Sequence, residues 1–521
     1  MKINQIILAV ATALITFSSC SDKLDIPRKG VLDKDAYYEN DENIESAVVS
    51  MYLQLRGGEF NSLFCKNMLT DDLYCAGAEY NDNPDLQSLN DFTFNTQESY
   101  IENMFTNYYK VIYKANVILD NVDPEISAVA KHAVADARVF RAFCYFELIT
   151  LWGNPPVVDH QLAPSEYNVP NGTKEELWGM VERDLKSAIE SGALAKKSGL
   201  NDNTTWRVTE HFAKSLLGKS YLWMASETEL NDKSYYANAA SVLDEVIDSK
   251  LYDLFTDAEF GDMQFPVYDM NCESLFESIR TDDNEHLDYN LAPVMYGWRS
   301  YGNEMTIPGD VYMTGGFGFC TPTKDLYDSF VKAGDLYRLG QTMKTYDEIT
   351  AMKVTINVPV VSAGYWLWKN RVLENEKVAG GWGTVRNARW MRFAEVLLLA
   401  AEAHYMNGDP QGKAAQYVNR VRNRAKLSNL SSVSLSDIKR EKRHEFVAES
   451  LRFQDLLRWG DAADALKENG HYYPECPPNG IVKMVETGNA VYGFKTGKHE
   501  HLPYPFTETS LNPNVKQNPG Y

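Results

Sequence analysis

The sequence predicts a mainly α-helical protein, built from helical hairpins with an irregular, loop-rich segment packed on that scaffold. Three observations carry the prediction. Apolar residues recur at helical spacing through most of the first half and again near the C-terminus. The periodic stretches come in pairs joined by short connections, the pattern of antiparallel helices. Between them, residues 255–388 lose the period and fill with Gly, Pro, Asn and aromatics. With 521 residues, 44% of them hydrophobic, the chain has ample material for a sizeable core, which excludes global disorder.

Taken in order, the first element is an export signal over residues 1–19. Lys2 supplies the charged start, Ile6 to Phe17 an apolar run of signal-peptide length, and Ser18-Ser19 the small residues before Cys20. A small side chain before cysteine is what a lipoprotein signal peptidase admits, so Cys20 is the predicted lipidation site, although Phe17 stands where Leu is commonest. Residues 20–40 then form the lipidated cysteine and its tether, and acyl chains hold such a protein to a membrane at ~0.8 kcal/mol per buried methylene. No later apolar stretch is long enough to span a bilayer; Phe393–Ala401 is too short and contains Glu395.

Residues 41–254 carry helical patterns at Glu42–Leu55, Tyr100–Val122, Ser127–Trp152, Lys174–Glu190, Thr209–Glu227 and Tyr235–Ser249. One pair has a sharper signature: Leu217-Gly218-x-x-Tyr221 matches part of the first helix of a tetratricopeptide repeat. Ala239, Ala240 and Leu243 sit where the second helix would pack. Within 255–388 a helix is predicted at Lys324–Ala333 and strands in the β-branched run Val354–Val361. Residues 389–521 return to helix at Trp390–Met406, Lys413–Ala425 and the charge-rich Leu435–Trp459, then end in a Pro- and Gly-rich tail from Gly470.

The formal charge of −21 repels phosphate and disfavours nucleic acid as a partner. No HExxH, P-loop or GxSxG is present, and the sequence gives no catalytic residue, metal site or cofactor. His499-Glu500-His501, Asp71-Asp72 and Asp282-Asp283 are read as solvated surface. Acidic and basic residues alternate along Lys439–Arg458, with Arg452 and Asp455 at i,i+3 and Glu441 and Glu445 near Arg440, which predicts structural ion pairs. Six cysteines follow Cys20 without CxxC spacing; Cys144 is read as core, and a Cys65–Cys75 pairing is left open.

Aromatics beside Gly in aperiodic chain are the candidate binding residues. Flat rings stack on the apolar face of a pyranose, while Asn and Arg bond its hydroxyls. Two segments have this mixture. The first offers Tyr74, Tyr80 and Asn81; the second offers Tyr296, Trp298, Arg299, Tyr301, Asn303, Phe317 and Phe319. Residues 255–388 are therefore the predicted ligand-binding segment.

Several separated motifs carry a resemblance to a known family. They are Arg141-Ala142-x-x-Tyr145-x-x-Leu148 with Leu151-Trp152-Gly153-Asn154-Pro155-Pro156-Val157-Val158, the helix Arg392–Ala403, and Arg443-x-Glu445-Phe446-x-x-Glu449-x-x-Arg452-Phe453-x-Asp455-Leu456-x-Arg458. The tail adds Leu502-Pro503-Tyr504-Pro505-x-x-Glu508 and Asn512-Pro513-Asn514-x-x-Gln517-Asn518-Pro519-Gly520-Tyr521. In this order they resemble the SusD/RagB family, outer-membrane lipoproteins of Bacteroidetes. Ala448-Glu449-Ser450 departs from that family's commoner Phe-Glu-Gly. The residues after Cys20, Ser21-Asp22 with Lys23 and Asp25, loosely resemble the acidic signal for the cell surface.

The resemblance implies four tetratricopeptide-like hairpins, no enzymatic activity, and lipid anchoring at the outer-membrane surface. It also implies capture of a glycan and its delivery to a SusC-like TonB-dependent transporter, with the protein acting as a lid. Peptide uptake of the RagB type is the main alternative, and a helical glycoside hydrolase a lesser one, since it needs two carboxylates held across a cleft.

Overall fold

The computed structural model describes residues 37–280, 289–299, 305–306, 316–373, 376, 378, 383–488 and 491–521. Six helices build the N-terminal scaffold: α1 (Asp41–Gly57), α2 (Ser99–Asn121), α3 (Ala128–Trp152), α4 (Lys174–Glu190), α5 (Glu210–Ser226) and α6 (Tyr235–Asp248). Their starts are chemically specified. Asn40, Ser127 and Thr209 each turn a side-chain oxygen onto the first free backbone N–H groups of α1, α3 and α5. Thr173 and Glu176 form a reciprocal capping box on α4.

Each helix packs on the next, and α6 packs on α7 (Phe393–Met406), which in turn packs on α8 (Lys413–Arg424). The eight helices thus form four successive hairpins, with the long irregular segment inserted between the third and the fourth. The tetratricopeptide-like signature has a direct cause. A Cβ on Gly218 of α5 would lie 2.5 Å from Leu243 Cγ of α6, so glycine alone lets the two helices approach this closely. Tyr221 fills the adjoining space and donates its hydroxyl to Glu182 Oε1 at 2.9 Å. Among the described residues no helix is long and apolar enough to cross a membrane.

The loop before α2, the insertion and the C-terminal part contribute short strands: β1 (Leu73–Cys75), β2 (Ser274–Ser278), β3 (Cys320–Pro322), β4 (Met343–Thr345), β5 (Val360–Val361), β6 (Tyr365–Leu367), β7 (Ala388–Arg392), β8 (Tyr472–Cys476) and β9 (Lys483–Glu486). The pairings β1–β3, β2–β7, β4–β6 and the run β9–β8–β5 are all antiparallel. The start of the predicted helix at Trp390 belongs instead to β7, because Ala388–Arg392 pairs with β2.

A buried ion-pair network holds the insertion to the scaffold. Glu445, fully buried, accepts from Arg392 Nη1 at 2.6 Å and Arg338 Nη1 at 3.1 Å, and also pairs with Arg424. Arg338 bonds Asp335 Oδ2 at 2.8 Å and pairs with Glu441; Arg392 also reaches Glu273 and Glu449, and Lys369 joins Glu449. The charge-rich stretch therefore does carry structural ion pairs, some local and some, such as those of Arg443 and Arg452, with partners distant in sequence. Arg452 bonds both oxygens of Asp71 at 2.8 Å each and not Asp455, which pairs with Lys442 at 2.7 Å and Arg458 at 3.1 Å. Arg440 pairs with Asp437. Asp71 and Asp72, predicted to be solvated, are drawn inside by Arg443 and Arg452.

The predicted single helix over Leu435–Trp459 is two, α9 (Leu435–Glu445) and α10 (Arg452–Trp459). The break falls at Ala448 (φ 59°) and Ser450 (φ 66°), left-handed conformations that favour glycine. Bonds to the scaffold hold the strained turn: Ser450 N donates to Asn67 Oδ1 at 2.9 Å, and Glu449 is gripped by Arg392.

The tail docks on the end of α3. Leu502 N donates to Leu151 O at 2.7 Å, Trp152 Nε1 to Pro503 O at 2.9 Å, and Asn518 Nδ2 to Trp152 O at 2.9 Å. The Leu-Trp-Gly turn and the terminal Asn-Pro motif are thus partners in space. His499 is not solvated but packed among Phe92, Phe94 and Phe494, and burial lowers its pKa to about 3.

Candidate functional site

Strand β1 and strand β3 lie side by side in the register Leu73 with Pro322, Tyr74 with Thr321 and Cys75 with Cys320. The pairing runs on past the strand ends: Ala76 N donates to Phe319 O and Gly77 N to Gly318 O, each at 3.0 Å. On the far side, Phe317 N, Gly318 N and Phe319 N donate to Val294 O, Gly297 O and Met295 O at 3.0, 2.8 and 2.9 Å. Three chain segments therefore form one narrow seam. The close approach of Gly297 and Gly316 is what glycine allows here, since a Cβ on Gly316 would sit 2.5 Å from the Gly297 backbone. The two segments singled out from composition, far apart in sequence, meet at this seam.

Its side chains divide into wall and rim. Tyr296 (6% exposed) packs against Phe64 at a tilt of 59° and accepts from Asn67 Nδ2 through its hydroxyl at 2.6 Å. Trp298 (7% exposed) donates Nε1–H to Leu367 O at 2.8 Å and packs with Ile356, Val360 and Trp366. Phe319 is buried beside Phe317. These three rings are packing residues of the wall behind the seam, because their faces are covered by protein.

The rim holds Tyr74, Tyr80, Asn81, Arg299 and Phe317. Arg299 Nη1 donates to Asp82 Oδ2 at 3.2 Å, the same oxygen that accepts from Ala78 N at 3.0 Å, which ties the two segments across the surface. Tyr80 stacks on Tyr473 of β8 (centroids 4.6 Å apart, 16° between planes) and donates its hydroxyl to Asp91 Oδ2 at 2.5 Å. Burial pushes the Asp91 carboxyl up to about 6. Asn81 is exposed at a loop tip in the left-handed region (φ 68°). Tyr301, Asn303 and Cys20 lie outside the described residues.

Beside the rim an open cleft of about 400 Å³ is lined by Tyr74, Tyr472, Met484, Asn469, Thr323 and Glu468, among others. Tyr472 is 47% exposed, so it offers a ring to solvent in the cleft that Tyr74 also lines. Arg443 and Arg452 neutralise Asp71, and Arg443 also bonds the cleft's Asp325, so part of the acidity lining the cleft is compensated. The reading from sequence missed Tyr472 and Tyr473, whose segment was assigned to the irregular tail; two adjacent tyrosines following Gly470 were the available signal. The chemistry on offer is stacking and hydrogen bonding. Among the described residues, no group of three or more His, Cys, Asp and Glu is placed to hold a metal ion.

Fold and site define a class: a helical-hairpin scaffold whose inserted loops and C-terminal strands build an aromatic surface cleft. The comparisons with known proteins agree with the helical scaffold. Residues 340–521 match the SusD family, and residues 32–222 match the family described as "Starch-binding associating with outer membrane". A SusD-like protein of Bacteroides ovatus is 25% identical over 483 residues, covering 87% of this chain and 82% of its own. Another, from Formosa agariphila, is 23% identical over 550 residues, with 98% of each chain covered. Among solved structures, a laminarin-binding SusD-like protein superposes with a TM-score of 0.77 at 25% identity, covering 93% of this chain and 100% of its own. A surface glycan-binding protein A of Bacteroides fluxus superposes with a TM-score of 0.75 at 24% identity, covering 92% and 100%, and speaks for the fold. The chain belongs to the SusD/RagB family.

Proposed function

We propose that this protein is a glycan-binding lipoprotein of the outer-membrane surface, anchored through Cys20, which captures oligo- or polysaccharide and delivers it to a SusC-like TonB-dependent transporter as its lid. The observation that carries the reading is the gathering of Tyr74, Tyr80, Tyr472, Phe317, Asn81 and Arg299 around one seam and its cleft. Open rings with hydrogen-bonding side chains between them suit a neutral sugar polymer. The likeness to a laminarin-binding SusD-like protein supports the same ligand class. Tethering by lipid raises the local concentration at the transporter, so weak, releasable binding suffices.

An exposed apolar groove beside α1, lined by Val49, Leu53 and Trp206, supports the partner part of the reading, because contiguous exposed apolar surface marks an interaction face.

The test is affinity electrophoresis of the chain from Ser21 onward through gels containing laminarin and a panel of plant, host and microbial glycans, with a peptide panel titrated in parallel. Retardation by one glycan class, with the glycan recovered unhydrolysed, is the expected result. Binding to peptides and to no glycan would replace the reading with RagB-type peptide uptake.

A further inference from the structure

Cys75 on β1 and Cys320 on β3 stand directly opposite each other in the antiparallel register. The flanking hydrogen bonds fix what kind of pair they are. Thr323 N donates to Asp72 O at 2.9 Å and Ala76 N to Phe319 O at 3.0 Å, so 72 with 323 and 76 with 319 are bonded pairs. Cys75 N turns away and donates to Asn90 Oδ1 at 3.1 Å. Between these two pairs bonded and non-bonded positions alternate, and the alternation breaks only past 76, where Gly77 N also donates to Gly318 O; with its N–H turned to Asn90, Cys75 forms a non-bonded pair with Cys320. In that class the Cα atoms approach to about 4.5 Å and the side chains share one face, within the span a disulfide bridges. Both side chains are 2% exposed and belong to the same core cluster as Cys65, and all three are thiols in this structure.

We propose that Cys75 and Cys320 are a disulfide-forming pair, a covalent staple across the seam that carries the candidate binding rim. The inference is independent of the ligand. The oxidant is a small disulfide such as oxidised glutathione. The Cys75 thiolate attacks one of its sulfurs and displaces a glutathione thiolate. The Cys320 thiolate then attacks Cys75 Sγ of the mixed disulfide, forms the Cys75–Cys320 bond and displaces the second glutathione. Two protein thiols are oxidised by two electrons, the oxidant is reduced to two thiols, and the two protons pass to the departing thiolates. In the closed fold, burial raises both thiols well above their ordinary range, so thiolate is scarce and the bond forms as the chain folds, before the seam shuts. Cys65 is the competing partner, but it lies on a helical turn with no register that sets it against either strand.

The experiment is peptide mapping of the full chain, unfolded in urea and refolded in a mixture of reduced and oxidised glutathione. Free thiols are then alkylated and the protein digested without reductant. The expected result is a linked pair of peptides containing Cys75 and Cys320, about 2 Da lighter than the two thiol peptides together and separated by reductant. The same link persists in Cys65→Ala and is lost in Cys320→Ala. Recovery of Cys75 and Cys320 as alkylated thiols, or a link from Cys65 to either one, overturns the proposal. The wild-type map decides the question even where a variant folds poorly.

Discussion

Replacing Glu445 by Gln removes one negative charge from the most enclosed part of the ion-pair network while keeping the side chain's shape. Glu445 is fully buried and serves Arg392, Arg338 and Arg424 together. With Lys369 and Arg422 these make five cations, balanced by Glu273, Asp335, Glu441, Glu445 and Glu449. The variant leaves one cation uncompensated where water cannot reach it. Removing one partner of a buried pair costs about 3–5 kcal/mol, a large part of a total stability of roughly 5–15 kcal/mol. The assay is urea unfolding followed by far-UV circular dichroism, comparing midpoints at matched slope. The pH dependence is a second signature. The surrounding guanidinium groups hold the Glu445 carboxyl far below its ordinary value. A depressed folded-state pKa gives stability that is fully present above the unfolded value near 4.5 and is lost as pH falls through the folded value. The difference between wild type and variant is therefore flat from pH 8 to about 5 and shrinks only in stronger acid. A loss below about 1 kcal/mol, or a difference that varies through neutral pH, would refute the claim that this network clamps the insertion to the scaffold.

Other consequences can be checked with the same unfolding assay. Gly218→Val drives a branched side chain into Leu243 and lowers stability by about 1–3 kcal/mol, whereas Gly179→Ala on α4, with nothing within 4 Å, raises it by about 0.5–1 kcal/mol. His501 is held neutral by burial, with its pKa lowered to about 4. The unfolded ring takes up a proton near pH 6.5 and the folded ring does not, so stability falls as pH drops from 6.5 towards 4; in His501→Phe the loss between pH 7 and 5 is smaller by about 2 kcal/mol. Asn518→Ala removes the bonds to Trp152 O and Leu502 O and costs about 1–3 kcal/mol, freeing the tail to early proteolysis.

The helical scaffold was legible because a long helix writes its period many times over. Lys174–Glu190 and Lys324–Ala333 match their predicted bounds, and Thr209 is the cap, not the first turn, of α5. What the period cannot show is which distant residue answers a charge. Arg452 has Asp455 at a favourable helical spacing, yet it bonds Asp71, because only a partner brought from outside satisfies the buried fork on both nitrogens. The seam was illegible for a related reason: strands of three residues have no measurable period, and β1 and β3 are joined only in space. Composition singled out two segments that meet at the seam but could not sort wall from rim. Trp298 and Tyr74 are both aromatics in aperiodic chain, and only the fold decides that one ring is covered and the other lines a cleft.

The central claim is that the cleft beside the β1–β3 seam binds the glycan. It is tested most directly by calorimetric titration of the retained glycan into the wild type, Tyr74→Ala, Tyr472→Ala and Phe317→Ala, each first shown to unfold at an unchanged midpoint. The account predicts that losing one stacking ring weakens binding by at least about tenfold, or about 1.4 kcal/mol, in one or more of these variants. Wild-type affinity in all three, with the fold intact, would contradict it.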